Sequence, residues 1–459
     1  MPIEVRFFPH LMHLSSDGNS QIMYDVNSSS LLELDYTSAV IIEEAIKRQE
    51  FSDETYSIAK EYLCETGIEC SNFVESVNLI ASLRARGLFQ NKVESTYSLI
   101  KPHSLVLNTS SACQLSCLYC YAAGGNYGLS DIPSNMSYAI GKRAIDFFWE
   151  LFDKNRERYT ISFFGGEPLI NWQVVRDLTL YAESIAAKNN KSVVFNITTN
   201  AIGINDEIAR FMADHSFDIQ VSIDGGRDTH DQLRPLRGGG SSSYQETIKG
   251  VSVLRKYTQR ITLRATVTSL NYDIAILERD FEQVGSFNCG LGFLQAKRDD
   301  PLQLTWEQLK EYADSYSEII TSEKYTSISL AREMPKLIAS GMHNMWSCGI
   351  ASSSIIVATN GDIFPCSRLI DDKYKMGSVI NNFDVHKAEK IRIKANVNSI
   401  LGCRSCWARY ICGGGCTSHN IDDSAPHYYP NYHFCYTSMR IIESSIEKLL
   451  MASKSRTEK

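Results

Sequence analysis

The run Cys113-Gln114-Leu115-Ser116-Cys117-Leu118-Tyr119-Cys120 decides how this chain is read. It follows Leu105-Val106-Leu107-Asn108, a mostly apolar run with the composition of a buried strand. The spacing is C-x3-C-x2-C. Three thiolates this close leave a four-iron cluster one ligand short, so one iron stays open to an outside molecule. Two plainer uses of the same residues stand beside this one. Structural zinc draws four ligands, commonly from paired C-x2-C units, and no further Cys or His occurs between Tyr121 and Ile140. Three cysteines could also pack in a core, although packing alone seldom clusters them.

Outward from this loop, strand and helix alternate to about residue 295. Residues 138–152 predict a helix whose Ile145, Phe148, Trp149 and Phe152 follow i, i+3, i+4, i+7. Further strands are expected at 159–164, 193–198, 217–222, 261–267 and 289–294. Repeated βα units imply a parallel sheet, and six of them suggest an open partial (β/α)6 barrel. Polar or Gly-rich clusters close several strands: Gly165-Gly166-Glu167-Pro168, Thr199-Asn200, and Ile223-Asp224-Gly225-Gly226. In β/α barrels the carboxyl ends of the strands carry the active site. Gly238-Gly239-Gly240-Ser241-Ser242-Ser243 reads as a flexible connection.

The 459 residues suggest two or three domains. A hydrophobic share of 43% and a charged share of 22% describe a globular protein. No run of apolar residues reaches membrane-spanning length, and no partner membrane is expected. The start, Met1-Pro2-Ile3-Glu4, shows no secretory pattern, so a cytoplasmic location is expected. The chain holds 13 cysteines, an odd number better suited to metal ligation than to complete disulfide pairing. Residues 1–100 carry 7 basic and 15 acidic side chains, which disfavours nucleic acid as their partner.

Residues 1–70 read as a separate unit, with strands at 3–8, 21–26 and 31–34. Helices follow at 38–48 and from Asp53, a plausible N-cap. Strands followed by helices is a winged-helix order. Residues 71–100 hold another amphipathic stretch and a linker, and 303–345 read as helical linker. From Trp346 the composition turns to Gly, Cys and aromatic residues, expected to be irregular. Seven cysteines lie there: Cys348, Cys366, Cys403, Cys406, Cys412, Cys416 and Cys435. Gly413-Gly414-Gly415 permits sharp turns among them. Cys403-x2-Cys406 is also zinc-like spacing. Cys64, Cys70 and Cys289 fall outside these sets and are expected to be small buried hydrophobes.

The cysteine loop resembles the signature of the radical S-adenosylmethionine (SAM) enzymes, and Phe163-Phe164-Gly165-Gly166-Glu167-Pro168 resembles their motif for the SAM amino group. The resemblance implies that Cys113, Cys117 and Cys120 hold a catalytic [4Fe–4S] cluster whose open iron binds SAM. It places Gly165, Gly166 and Glu167 at the SAM amino group, Thr199 and Asn200 near the ribose and Tyr119 near the adenine. Ser222, Asp224, His230-Asp231 and Arg234 match a stretch of the peptide- and protein-modifying subgroup. Arg264 could pair with the SAM carboxylate or belong to an ordinary ion pair.

The C-terminal cysteines resemble the SPASM domain, which carries two auxiliary [4Fe–4S] clusters, three clusters in all. That implies one set of Cys403, Cys406, Cys412 and Cys435, and another of Cys348, Cys366 and Cys416 with a fourth position open or held by a non-Cys ligand. The N-terminal pattern is similar to the RiPP recognition element, which captures the leader of a ribosomally made precursor peptide. Gly124-Gly125-Asn126-Tyr127-Gly128 and Met136-Ser137 resemble the ranthipeptide and sactipeptide maturases, the SCIFF maturase among them. The expected organisation is a leader-binding unit at 1–90, a barrel at 100–300, a helical linker at 301–345 and a SPASM domain at 346–459. The expected activity is thioether formation, Cys sulfur to carbon, with a flavodoxin- or ferredoxin-like electron donor. Carbon–carbon cross-linking, epimerisation, formylglycine formation and a non-catalytic zinc scaffold stay open.

Overall fold

The computed structural model describes residues 10–12, 21–66, 72–89, 101–129, 132–240, 242–285, 288–294, 300–322, 326–421 and 430–457. The expected strand at 3–8, Cys70 and residues 90–100 of the expected stretch and linker lie outside them.

The N-terminal unit is a three-stranded antiparallel sheet, β1 (His10–Met12), β2 (Gln21–Asp25) and β3 (Ser30–Leu34), followed by α1 (Tyr36–Arg48), α2 (Asp53–Glu65) and α3 (Phe73–Ala85). Its core joins Met23 and Leu34 to Ile41, Ile42, Leu63, Phe73 and Ile80. The cap of α2 is Ser52 rather than Asp53, because the Ser52 hydroxyl accepts from the Thr55 N–H at 3.2 Å and leaves Asp53 as the first helical residue. Among the described residues no strand pairs with the outer edge of β3.

The main body alternates β4 (Ser104–Ser110), α4 (Tyr138–Leu151), β5 (Arg158–Gly165), α5 (Trp172–Lys188), β6 (Ser192–Thr199), α6 (Asp206–Asp214), β7 (Asp218–Ser222), α7 (Arg227–Leu233), α8 (Ser243–Leu254), β8 (Ile261–Val267), α9 (Ile274–Gln283) and β9 (Cys289–Phe293). The six strands β4 to β9 are parallel neighbours in sequence order, as the βα pattern requires. On α4, Ile145 and Phe148 are buried, as is Phe152 just past its end, and Trp149 packs against them.

Past residue 300 the expected helices form but pack into the core instead of linking, and the expected irregular tail carries regular strands and helices. Helices α10 (Trp306–Thr321) and α11 (Ser329–Ala339) put Leu309, Tyr312, Tyr316, Ile320 and Ala331 into the main core. Strand β10 (Ser354–Val357) pairs in parallel with β4, and β11 (Ile363–Phe364) pairs antiparallel with β10. The apolar run Ile355-Ile356-Val357 covers an edge that β4 would otherwise leave unpaired. The sheet therefore has eight strands in the order β11-β10-β4-β5-β6-β7-β8-β9. Beyond it come α12 (Val385–Lys394), the short α13 (Arg409–Cys412) and α14 (Thr417–Asn420), and the long α15 (Tyr432–Thr457). Cys289 is fully buried, as expected; Cys64 is exposed, because it falls on the solvent face of α2.

The N-terminal unit docks on the C-terminal region. Tyr24 and Val26 share a core with Val397, Ile400, Cys403, Tyr410, Ile411, Ile442 and Ile446. The buried Arg409 donates to the Asn27 side chain at 3.0 Å and to the Arg404 carbonyl at 2.7 Å.

Candidate functional site

The loop after β4 is stitched to the loop after β5. Gly166 N–H donates to the Ser110 carbonyl at 2.7 Å, and Glu167 N–H to the Ala112 carbonyl at 2.9 Å. Gly165 has φ +133°, and a Cβ there would fall inside the Ser110 carbonyl oxygen. On Gly125, with φ +115°, a Cβ would sit 2.6 Å from the Ser111 oxygen. These glycines admit a close approach of neighbouring protein backbone. Gly165 and Gly166 also line a cavity of ≈ 350 Å³.

That cavity brings together most of the residues singled out from the sequence. Its walls include Cys113, Cys117, Tyr119, Cys120, Gly165, Gly166, Glu167, Thr199, Asn200, Ser222 and Arg264, from the ends of β4 to β8. Glu167, one of these lining residues, is 1% exposed. Its carboxylate accepts from Thr199 Oγ1 at 2.7 Å, Asn200 N–H at 2.8 Å and Leu169 N–H at 3.1 Å. Burial pushes its pKa up to about 7, against the pull of those donors. A carboxylate has about four acceptor positions, so one remains for an ammonium donor.

Asp224 differs from expectation. It does not line the cavity but is wholly buried behind it, its carboxylate held by Arg234 Nε at 2.8 Å and by the Thr266 N–H at 2.9 Å. The Tyr119 hydroxyl donates to the same carboxylate. A charge that deep survives only when paired, so Asp224 reaches the cavity through its partners. Arg264 does project into the cavity. Among the described residues its guanidinium makes no hydrogen bond or ion pair, and Gly292 leaves it room: a Cβ there would lie 2.7 Å from its terminal nitrogen. Burial, then the neighbouring Arg368, lowers its pKa. Sequence reasoning missed Arg368 and Ser367, which enter the cavity wall from the C-terminal region. Their only signal was adjacency to Cys366.

The three loop thiols fit a cluster by donor chemistry. N–H groups point at the sulfurs: Leu115 N to Cys113 Sγ at 3.4 Å, Gly124 N to Cys120 Sγ at 3.3 Å, and Asn200 Nδ2 to Cys113 Sγ at 4.0 Å. Such donors favour thiolate over thiol. Burial pushes the Cys113 thiol up to about 12, against the pull of the Leu115 N–H.

The C-terminal thiols fall into two groups. Cys403 feels the charges of Cys435, Cys412 and Cys406, and Cys366 those of Cys416 and Cys348. Gly413, Gly414 and Gly415 all have positive φ, and a Cβ on Gly413 would lie 2.7 Å from the Ser347 N. That close passage carries Cys416 back towards Cys348. Among the described residues no three Cys, His, Asp or Glu side chains are gathered tightly enough to share one metal ion.

With that geometry in view, residues 107–273 match the family model of the radical SAM superfamily. The chain carries a radical SAM domain. Its likenesses extend beyond that domain. The chain is 23% identical over 387 residues to a cysteine-type anaerobic sulfatase-maturating enzyme of Clostridium novyi, covering 79% of this chain and 98% of that protein. Native anSMEcpe with bound AdoMet superposes with a TM-score of 0.65 at 18% identity, over 77% of this chain and 100% of its own. Streptococcus suis SuiB bound to S-adenosylmethionine superposes with a TM-score of 0.53 at 17% identity, over 92% of this chain and 99% of its own. These structures share the fold with the radical SAM domain and its flanking regions. No helix among the described residues is long and apolar enough to cross a membrane.

Proposed function

We propose that this chain is a radical SAM enzyme that joins a Cys sulfur to a carbon in a ribosomally made precursor peptide. The observation that carries this reading is the approach of the Cys366 group to the cavity. Ser367 and Arg368 line the cavity wall, and Tyr121 lies within the electrostatic reach of both Cys120 and Cys366. In this reading Cys113, Cys117 and Cys120 hold the cluster that binds SAM. Cys403, Cys406, Cys412 and Cys435 hold a second cluster, and Cys348, Cys366 and Cys416 a third.

When bound, these groups supply a 5′-deoxyadenosyl radical, which takes a hydrogen atom from the peptide, and an acceptor for the electron released as the C–S bond closes. The chain's own residues prepare the site. Glu167 receives the SAM ammonium while Thr199 and Asn200 hold its carboxylate still. Arg264 offers a bidentate fork to the SAM carboxylate. Phe164, Phe293 and Leu294 line the cavity with apolar surface that excludes water from the reacting atoms. The electron for SAM cleavage comes from a flavodoxin- or ferredoxin-like donor.

Formylglycine formation is the second reading, favoured by the similarity to the sulfatase-maturating enzyme of C. novyi. Mass spectrometry separates the two. The enzyme is reconstituted anaerobically and given the product of a neighbouring short Cys-rich reading frame. A thioether is expected: the peptide loses two hydrogens per bond and keeps its sulfur. Loss of sulfur with gain of an aldehyde would assign the second reading instead.

The N-terminal unit is the proposed leader-binding module. SuiB has been described bound to its precursor peptide SuiA, and the SuiB likeness covers more of this chain than that to anSMEcpe. The open edge of β3 can add an extended peptide as a fourth strand. Glu33 is exposed on that strand. A Glu33→Pro variant removes a backbone donor and disturbs the edge. One or two lost hydrogen bonds should weaken leader binding by about tenfold. Fluorescence anisotropy with a labelled leader reads this, with the unfolding midpoint as control; equal affinity would remove the role.

A further inference from the structure

We infer that Arg234 raises the reduction potential of the cluster held by Cys113, Cys117 and Cys120, and that Asp224 limits how far. The inference rests on the proposed reading, because Cys117 must be a ligand. Arg234 is 8% exposed and follows directly after α7. Its Nε and one terminal nitrogen grip the two Asp224 oxygens at 2.8 and 3.2 Å. The other terminal nitrogen donates to Cys117 Sγ at 4.0 Å. The Tyr119 ring lies 5.4 Å from the guanidinium.

The backbone fixes this placement. Leu118 N–H donates to the Leu233 carbonyl at 3.0 Å, and Ser116 N–H to the Pro235 carbonyl at 2.8 Å. The residues flanking Cys117 are thus tied to the residues flanking Arg234. The guanidinium has little freedom to leave the sulfur.

One-electron reduction adds one negative charge to the cluster. A buried cation with an N–H aimed at a ligand sulfur stabilises that charge, and hydrogen bonds to sulfur are a known control on cluster potential. The low-dielectric setting strengthens the effect. Asp224 opposes it with a fixed negative charge on the far side of the same guanidinium. Arg234 is therefore a positioning residue that acts through Cys117, and the two members of the pair push the potential in opposite directions. A purely architectural salt bridge has no such signature.

The test is an EPR-monitored redox titration of the full-length, anaerobically reconstituted protein, with a low-potential chemical reductant as the one-electron donor. The relevant signal is the one that SAM addition changes. Arg234→Gln should shift its midpoint to more negative potential, Asp224→Asn to more positive potential, and Arg234→Lys should return it towards the native value. Shifts of the same sign, or none in either variant, would overturn the inference. If Arg234→Gln loses the SAM-responsive signal, Asp224→Asn decides: a positive shift upholds the inference, and a negative or absent one overturns it. Failure of the underlying reading looks different, since the native protein would then show no SAM-responsive cluster at all.

Discussion

The Cys113→Ala/Cys117→Ala/Cys120→Ala variant is expected to form no 5′-deoxyadenosine from SAM. The native protein should bind about twelve irons as three four-iron clusters, and the variant about eight. The three thiols sit on one loop at the end of β4 and face a single cavity. The other two groups lie in the C-terminal region, on separate backbone. Removing the loop thiols takes away no ligand of either C-terminal group. The variant also carries its own folding control. The strand-end contacts of the loop are made by backbone, Gly166 to Ser110 and Glu167 to Ala112, and survive the substitution. Quantification of 5′-deoxyadenosine by liquid chromatography, with iron and sulfide assay, reads both expectations. SAM cleavage at the native rate would show that the radical arises elsewhere.

The second large effect concerns Cys348, Cys366 and Cys416. Replacing all three with Ala should abolish the cross-linked peptide, remove about four irons and leave uncoupled SAM cleavage in place. Three cysteines leave one iron of a four-iron cluster without a Cys ligand. A substrate thiolate is a good ligand for that position, and binding it there would hold a flexible peptide beside the radical. A histidine of the protein is the competing candidate. His419 lies three residues after Cys416, and its Nε2 is 3.3 Å from Arg368. Spectroscopy distinguishes the two. In a protein lacking Cys113, Cys117 and Cys120, a Cys-containing precursor should perturb the spectrum of this cluster, and a Cys→Ser precursor should not. Identical spectra with both peptides would show that the fourth position is taken by the protein.

Several features were legible in the residue order because they are local. The βα period of the barrel follows from apolar runs and their spacing, and all six predicted strands lie within two residues of the observed ones. The cysteine loop, Glu167 and Thr199-Asn200 were legible because motif and strand end coincide. Asp224 was misplaced for a physical reason. Sequence puts it at a strand end, but only the fold shows that Arg234 claims its carboxylate and turns it away from the cavity. Arg368 was missed because its route into the cavity depends on long-range packing.

By itself, then, the sequence determined the parallel βα body, the three-thiol loop at its carboxyl face and the presence of a second cysteine-rich region. Periodicity and short-range spacing suffice for each. The tertiary structure alone decided that β10 extends the barrel sheet beside β4, that α10 and α11 complete its core, and that the N-terminal unit seats Asn27 on Arg409. The β10–β4 pairing and the Asn27–Arg409 contact join residues hundreds of positions apart. They are selected by which apolar edge or buried charge remains uncovered once the body has formed, and no local pattern records that.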